Sequence, residues 1–522
     1  MTPRHSTVAL ALAGLALPLA AAEETLTVCP SGCDFTSVIE AVESAADGDV
    51  IQLSAGTYLE GTTIVIDKAL TLRGAGSKDG QATTVLDGAG LHRIVDASTG
   101  QMVTIEDIRF QNGLGGVSTL PYDGGGAIHS GDNLFVRNCE FVDNATNDYS
   151  SGGAISTYFA NGVGVLIEDC RFTGNTSTLN GGAIALTRSF GTLRNCTFES
   201  NESIGQNGGQ GGAIHIQAAD DVVRFLDCTF TGNSASDTGE YAGYDGAGGA
   251  LSMGNGSSCI MLGCAFSGNQ ADRGGAVYTD HSLPRSITSS TFESNSVGAI
   301  YVDFWELEFQ ICEPGPWGNI EAPEIQIVNS TFSSNSVGSE ERGNLGTAIT
   351  SDYTNLSLIG STFSNNGGDA TDVLILDRSG CPDSFSPPLG AYDNSFQDNQ
   401  GTLFSNYTDE VRFAANTICG TDQSVGSDDW VDSFFFENFP EDYPLADMGN
   451  DFHDSCEDVP SGDNPLDANG DGVYDAEDVR LSMAEFGIVE AGPCPADTNA
   501  DGAVDGQDLA AVLANWGLPC EE

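Results

Sequence analysis

A phenylalanine followed three residues later by an asparagine recurs nine times along this 522-residue chain, with 26 to 40 residues between successive phenylalanines. The pairs are Phe141/Asn144, Phe172/Asn175, Phe198/Asn201, Phe230/Asn233, Phe266/Asn269, Phe292/Asn295, Phe332/Asn335, Phe363/Asn366 and Phe396/Asn399. Apolar and polar positions alternate around each phenylalanine, which predicts short strands joined by sharp bends. Repetition at this period predicts a solenoid, in which about ten coils stack ~4.8 Å apart.

Three further columns accompany the repeat. Three residues before each phenylalanine stands Asn, Asp, Gly or Ser, which predicts a turn. The asparagine after the phenylalanine is itself suited to the left-handed conformation of a bend. Two residues before the phenylalanine stand Cys139, Cys170, Cys196, Cys228 and Cys264, and then serines in three later repeats. Because stacked residues have parallel Cβ vectors, we expect a buried thiol ladder in this column.

A second motif, Gly-Gly-Ala followed by an aliphatic residue, predicts another strand in each repeat. Its alanines are Ala127, Ala154, Ala183, Ala213, Ala250 and Ala276. The segment between the asparagine and this motif varies in length, as at residues 146–151, 202–210 and 234–247. We expect these loops to project from one edge of the coil stack, which is the usual binding surface of a solenoid. An insertion at residues 304–323 is the largest irregular feature.

These motifs resemble known families. Residues 181–184 (GGAI) with 198–201 (FESN) resemble the repeat of chlamydial-type polymorphic outer-membrane proteins, and residues 38–74 look like the opening of a pectate-lyase-like β-helix. The resemblance covers about residues 25–440 and implies an all-β fold, a right-handed parallel β-helix solenoid, over residues 23–440. A Ser37 capping box, with Val38, Val42 and Ala45 on one helical face, predicts an N-terminal capping helix.

The C-terminal region contains the pattern D-x-N-x-D-G-x-x-D-x-x-D twice, at residues 467–478 and 497–508. This spacing supplies the side-chain and backbone oxygens that Ca²⁺ prefers, with glycine at the bend. An apolar helical stretch follows each loop. We therefore predict two calcium sites. The expected ligands are Asp467, Asn469, Asp471, Val473 (backbone), Asp475, Asp478, Asp497, Asn499, Asp501, Ala503 (backbone), Asp505 and Asp508.

The duplicated loop and helix resemble a type I dockerin over residues 463–522, after an acidic linker at residues 441–462. The resemblance implies that the module attaches the protein to a cohesin-like or other anchoring protein. The dockerin pattern often has a Ser-Thr pair at loop positions 10 and 11, where this chain has Ala476-Glu477 and Gly506-Gln507. Because the segment is strongly acidic, we expect it to fold only with bound cations.

The N-terminal residues 1–22 predict a secretory signal peptide, because an apolar run follows Arg4 and ends in three alanines. That run is too short to span a membrane, and no later segment is long enough. The protein is therefore expected to be secreted or at the cell surface. A net charge of −58 argues against nucleic acid and anionic membranes as partners.

Export permits disulfides, and two are predicted from position: Cys29–Cys33 at the N-terminal edge and Cys494–Cys520 around the second calcium loop. The pairing of Cys312, Cys381, Cys419 and Cys456 is left open.

Catalytic residues are harder to find. Asp220, Asp221 and Arg224 form the best acid-plus-guanidinium cluster, although a turn with an aspartate pair and a salt-bridged arginine is the commoner explanation. His129 and His215 share one column but lie three coils apart, so they are expected to be solvent-facing strand residues that cannot share a metal. Aromatic residues in or beside loops are candidates for stacking on sugars. These are Tyr149, Tyr158, Tyr241, Tyr244, Trp305 and Trp317.

Three hypotheses follow. The first is a secreted, non-catalytic β-helix whose edge loops bind a polysaccharide or a cell surface, and which is attached through its calcium-folded C-terminal module. The second is an extracellular polysaccharide lyase or glycoside hydrolase acting on a polysaccharide, with an acidic one favoured. The third is an adhesin-like surface protein, although residues 440–522 lack the alternating strands of an outer-membrane barrel.

Overall fold

The computed structural model describes most of the coil stack. The described residues are 24–78, 81–98, 102–116, 124–131, 133–147, 149–158, 164–205, 208–219, 222–237, 246–303, 324–337, 346–352, 354–367, 373–377, 389–392, 394–399, 404–406, 411–414, 416–419 and 451–453. The signal segment, the insertion at residues 304–323, Asp220, Asp221, the Cys494–Cys520 pair and all twelve expected calcium ligands lie outside them.

The chain forms a parallel β-helix in which each full coil contributes one strand to each of three long sheets, called A, B and C in chain order. Neighbouring strands within these sheets are parallel and keep their register from coil to coil, apart from a one-residue shift between Ser258–Leu262 and Leu283–Thr288. This confirms the all-β solenoid expected from the repeat.

Sheets A and B each contain 14 strands. Sheet A comprises Thr25–Val28, Val50–Leu53, Leu70–Arg73, Val103–Glu106, Leu134–Arg137, Gly164–Glu168, Phe190–Arg194, Val222–Leu226, Ser258–Leu262, Leu283–Thr288, Glu324–Val328, Asn355–Ile359, Leu389–Tyr392 and Val411–Ala414. Sheet B comprises Gly56–Tyr58, Thr84–Asp87, Ile108–Gln111, Glu140–Val142, Arg171–Thr173, Thr197–Glu199, Thr229–Thr231, Ala265–Ser267, Thr291–Glu293, Thr331–Ser333, Thr362–Ser364, Ser395–Gln397, Thr417–Cys419 and Asp451–His453.

Sheet C contains 12 strands, and a short five-stranded sheet lies between B and C in the middle coils. Sheet C comprises Ile64–Val65, Val95–Ala97, Ile128–Ser130, Ile155–Tyr158, Ile184–Thr187, Ile214–Gln217, Leu251–Gly254, Val277–Asp280, Ile300–Asp303, Ile349–Asp352, Leu374–Asp377 and Phe404–Asn406. The short sheet comprises Leu114–Gly115, Ala145–Thr146, Thr176–Ser177, Glu202–Gly205 and Ser234–Asp237. Ser77–Lys78 and Gln81–Ala82 form an antiparallel pair.

The phenylalanines of the repeat form one continuous stack inside the coil. From Phe110 to Phe396 the rings lie parallel, with centroids 4.6–5.2 Å apart. They are fully buried. Burial of each ring stabilises the fold by about 2–3 kcal/mol, so the stack supplies much of the hydrophobic stabilisation of the core.

The asparagine after each phenylalanine does not adopt the left-handed conformation expected of it. The positive φ angles lie one residue earlier, for example at Asp143 (φ 51°) and Ser200 (φ 54°). Asn233 is fully buried and continues a ladder of amides: its Nδ2 donates to Asn269 Oδ1 at 3.0 Å, and its Oδ1 accepts from Asn201 Nδ2 at 2.9 Å. Asparagine suits both a left-handed bend and a buried amide ladder, and only the fold distinguishes these two roles.

The turn column before each strand of sheet B is confirmed, with Asn138, Asp169 and Asn195 at φ 52°, 54° and 49°. The cysteine column is also confirmed as a ladder of buried free thiols. In the next coil Ser290 takes the same place, and its Oγ donates to Thr288 O and accepts from Cys264 N. This replacement fits a packing role. Cys259, which the repeat does not place, is another buried free cysteine, in sheet A.

The first end of the stack is closed by a helix, Val38–Ser44, as expected. Its N-cap Ser37 accepts from Glu40 N, and Val38 and Val42 pack into the core. The Cys29–Cys33 disulfide is present, with Cα atoms 5.6 Å apart. Cys419 is also disulfide-bonded. No helix in the described part of the chain is long and apolar enough to cross a membrane.

The boundary expected at residue 440 needs correction. Asp451–His453 lies within the segment expected to be a linker, yet it pairs in parallel with Thr417–Cys419 as a further strand of sheet B. The β-helix therefore extends at least to residue 453. A strand of three residues has too few alternating positions to be recognised in an acidic segment.

Candidate functional site

The outward face of sheet C is the candidate site. The side chains that follow one another along this face from coil to coil are mostly polar or aromatic and largely buried. Each strand points its first and third residues into the core and its second residue outward. From coil to coil the outward column reads Asp96, His129, Ser156, Ala185, His215, Ser252, Tyr278, Tyr301 and Thr350. Ser156, Ala185 and Ser252 are buried although they face away from the core.

The Gly-Gly turn before each strand of sheet C helps to bury these outward-facing side chains. Gly248 has φ 67°, and a Cβ placed on it would lie 3.0 Å from Ser252 Cβ and 2.2 Å from Leu251 O. Only glycine permits this conformation and this approach, so the turn folds back against the outward column. The described ends of the loops of variable length, at residues 149–151, 208–210 and 246–247, lead into these turns.

His215 is buried in this column, with 3% of its surface exposed, so the expectation of a solvent-facing histidine is wrong for this residue. Its Nδ1 lies 2.7 Å from Ser252 Oγ, and its Nε2 has no hydrogen-bond partner. Burial lowers the pKa of His215 to about 4, so the ring is neutral at physiological pH. His129 lies three coils away and is half-buried.

Next along the column, a mixed cluster of acid, base and phenol spans two strands. The register pairs Tyr278 with Tyr301 and Asp280 with Asp303. The Tyr278 hydroxyl donates to Asp303 Oδ2 at 3.4 Å, and Arg273 Nη1 lies 3.9 Å from the same oxygen. His281 Nδ1 contacts Asp280 Oδ1, and His281 N donates to Asp303 O at 2.9 Å.

Exposure within the cluster is uneven. The Asp280 and Arg273 side chains are 40% and 41% exposed, whereas that of Asp303 is only 10% exposed. Burial raises the pKa of the Tyr278 phenol, and the charges of Asp303 and Asp280 raise it further. Tyr278 therefore keeps its proton at neutral pH and donates a hydrogen bond to Asp303. Tyr278 and Tyr301 stack with ring centroids 5.7 Å apart.

Of the catalytic residues considered first, only Arg224 lies among the described residues, and it is on sheet A rather than sheet C. Arg224 is exposed on the outer face of sheet A, where its Nη1 donates to Val222 O at 3.3 Å. Tyr149 is exposed beside a loop, and Tyr158 is half-buried on sheet C under the guanidinium of Arg188, 5.9 Å from the ring centroid. The other four loop aromatics lie outside the described residues.

Sequence reasoning missed Tyr278, Asp280, His281 and Asp303, although a signal was present. Asp280 and Asp303 each stand three residues after the aliphatic residue that begins a strand of sheet C. Extending the alignment beyond the Gly-Gly-Ala motif therefore puts both carboxylates in one column. Arg273 precedes the motif and could not be placed beside them without the fold.

Metal ligands do not converge in the described coils. No group of three or more His, Cys, Asp or Glu residues suited to a metal ion occurs among the residues given above. The two expected calcium loops lie outside that part of the chain, so their ligands remain predictions from sequence.

Comparison with known proteins gives likeness at the level of the fold. A family model described as a right-handed β-helix region matches residues 87–244 and 152–312. Comparison with curated proteins gives no match. Among solved structures, the mannuronan C-5 epimerase AlgE6 A-module of Azotobacter vinelandii is 12% identical, covers 74% of this chain and 94% of that chain, and has a TM-score of 0.40.

Two further solved structures are similar at the same level. The catalytic unit of the thermostable GH87 alpha-1,3-glucanase from Streptomyces thermodiastaticus strain HF3-3 is 14% identical, with coverage of 84% and 69% and a TM-score of 0.38. A rhamnogalacturonan lyase is 11% identical, with coverage of 75% and 87% and a TM-score of 0.32. Likeness of this degree assigns no role to any residue of this chain.

Proposed function

We propose that this protein is an extracellular polysaccharide-binding β-helix, which holds an extended glycan along the outward face of sheet C. The observation that carries the proposal is the column from His215 to Tyr301: polar and aromatic groups follow one another, coil after coil, between turns that border the face. The acidic calcium loops at residues 467–478 and 497–508 serve as an attachment module in this proposal.

The chemistry of the column suits a sugar chain. Aromatic rings pack against the apolar faces of sugars, while carboxylates and hydroxyls bind sugar hydroxyls. Tyr301 is half-buried and already stacked on Tyr278, so it can bind without a large loss of side-chain entropy. Strands ~4.8 Å apart repeat these contacts along the axis, as a linear polymer requires.

Replacing the half-buried Tyr301 tests this proposal. Tyr301→Ala should weaken glycan binding by about tenfold, because a stacking contact in a binding face is worth about 1–1.5 kcal/mol. Affinity electrophoresis in gels containing different polysaccharides measures the effect. Thr331→Ala, at a half-buried outward position of sheet B, is the matched control. Equal binding by Tyr301→Ala, Thr331→Ala and wild type would contradict the proposed face.

The attachment module has its own test. Residues 441–522 contain many acidic and almost no basic residues, so calcium binding and folding should be coupled. Adding Ca²⁺ to the full-length protein should increase its helical circular dichroism, since sequence predicts a helix after each loop. The double variant Asp467→Ala/Asp497→Ala is the control. An unchanged spectrum of the wild type on titration with calcium would remove the metal assignment.

A polysaccharide-cleaving enzyme is the second candidate. One specific observation favours it: the pair of carboxylates at Asp280 and Asp303 lies on the proposed binding face, and the two differ in exposure and in partners.

A further inference from the structure

We propose that the cluster on sheet C is a hydrolytic centre for uncharged glycans, with Asp303 as nucleophile and Asp280 as proton donor. This inference rests on the proposed binding of a glycan along the same face. It adds a reaction, a substrate class and two catalytic residues.

The spacing of the carboxylates suits a covalent mechanism. Asp280 and Asp303 are register partners on adjacent parallel strands, which places their backbones ~4.8 Å apart. Glycosidases that retain anomeric configuration hold their two carboxyl groups about 5–5.5 Å apart, whereas inverting enzymes need a wider gap for a water molecule. Adjacent positions on one face therefore favour retention.

The surroundings of the two residues fit their different roles. Asp303 is shielded from solvent, accepts a hydrogen bond from Tyr278 and lies near the Arg273 guanidinium. A hydrogen-bond donor and a positive charge both stabilise a carboxylate, as a nucleophile requires. Asp280 is more exposed, so the oxygen of a leaving group can approach it, as a general acid requires.

A second observation points to a ligand on this face. His215 is almost wholly buried, and its Nε2 has no hydrogen-bond partner. It lies in the same outward column as Tyr278, separated from it by Ser252 alone. An unpaired buried nitrogen costs about 1–3 kcal/mol. A sugar hydroxyl next to the cluster would remove that cost, since a hydroxyl both donates and accepts.

The reaction is balanced by water. An Asp303 carboxylate oxygen bonds to the anomeric carbon while the glycosidic carbon–oxygen bond breaks, and the leaving oxygen takes the proton of Asp280. Water then attacks the same carbon, gives one proton back to Asp280 and releases Asp303. The products are two shorter glycans with the original stereochemistry at the new reducing end.

The charges on this face indicate an uncharged substrate. β-Elimination acts on uronates, and a lyase needs cations to neutralise the uronate carboxylate. Arg93 donates to Asp96, Gly124 and Gly125, Arg188 lies over Tyr158, and Arg273 lies beside Asp303. With these guanidiniums engaged and two carboxylates in the centre, a polyanion would be repelled.

The experiment measures new reducing ends and unsaturated products, with β-glucan, mannan, xylan and α-glucan as neutral probes and polygalacturonate and alginate as acidic ones. We expect reducing ends from a neutral glycan and no unsaturation. Asp303→Asn and Asp280→Asn should each lower kcat/KM by about 10³-fold. Both variants should still bind the glycan in affinity electrophoresis.

The matched control is Asp227→Asn, a surface turn position on another face where other coils have asparagine, and its turnover should equal that of the wild type. If Asp303→Asn fails to fold, the more exposed Asp280→Asn still decides the result. Glycan binding without hydrolysis, or unsaturated products, would overturn the hydrolytic centre and leave the proposed binding function intact. Absence of glycan binding by the wild-type protein would overturn both the hydrolytic centre and the proposed binding function. An inverted product anomer would overturn Asp303 as the nucleophile.

Discussion

His215 shows how a single residue on this fold departs from its pattern. Its neighbours Ile214 and Ile216 point into the core, so alternation puts His215 outside, where histidines are usually solvated. The turn at Gly211 (φ 68°) packs against the backbone of Ile214 and His215, and the imidazole is one of the most deeply buried ionisable groups of sheet C. The sequence therefore shows which side chains of a strand face outward, but it does not show which of them a neighbouring turn buries.

The burial of His215 should make the free energy of unfolding depend on pH. Because the pKa of His215 is lowered to about 4 in the folded chain, the unfolded chain takes up the proton first as pH falls. The contribution of the neutral, buried His215 to the free energy of unfolding is fully present above pH ~6.5. It is lost as pH falls toward 4, at about 1.4 kcal/mol per pH unit. Between pH 7.5 and 5, His215→Gln should therefore lose about 2 kcal/mol less free energy of unfolding than the wild type.

Urea unfolding at the two pH values measures this difference. An equal pH dependence for His215→Gln and wild type would contradict the neutral, buried state of the ring.

At the scale of elements, the columns that join coils were predictable where one residue type suits only one role. Phenylalanine at a fixed period has to be core, and the stack from Phe110 to Phe396 follows directly. The asparagine column was misassigned because asparagine suits both a bend and a buried ladder. Cys259 went unplaced because it precedes the repeated position and aligns with Val223 and Pro284, not with other cysteines.

The asparagine ladder should be essential for stacking the coils. Asn233 accepts from Asn201 N and Nδ2, and its Nδ2 donates to Phe198 O and Asn269 Oδ1. Asn233→Ala leaves several of these buried groups unpaired, so we expect a loss of about 3 kcal/mol or more. Thermal and urea unfolding measure it. Thr229→Ala, outward on the adjoining strand of sheet B, should cost far less. Equal losses for the two variants would show that the ladder is not the coupling element.

For the whole molecule, the repeat predicted a solenoid and the Ser37 capping box predicted its closing helix, while composition argued against nucleic acid and anionic membranes as partners. The candidate site depends on relations between coils that a linear pattern does not show: Arg273 reaches Asp303 across a turn and a strand, and Tyr278 reaches it from the neighbouring coil. The end of the solenoid was placed too early because Asp451–His453 joins sheet B from a segment that composition marks as linker.

The central claim is that a glycan lies along the outward face of sheet C. Hydroxyl-radical footprinting with mass spectrometry tests it directly, once a binding glycan has been found by affinity electrophoresis. A glycan bound there should lower the oxidation of Tyr301 and Tyr158 on sheet C and leave Ile359, exposed on sheet A, unchanged. Protection of Ile359 with no protection of Tyr301 would place the ligand on another face and contradict the account.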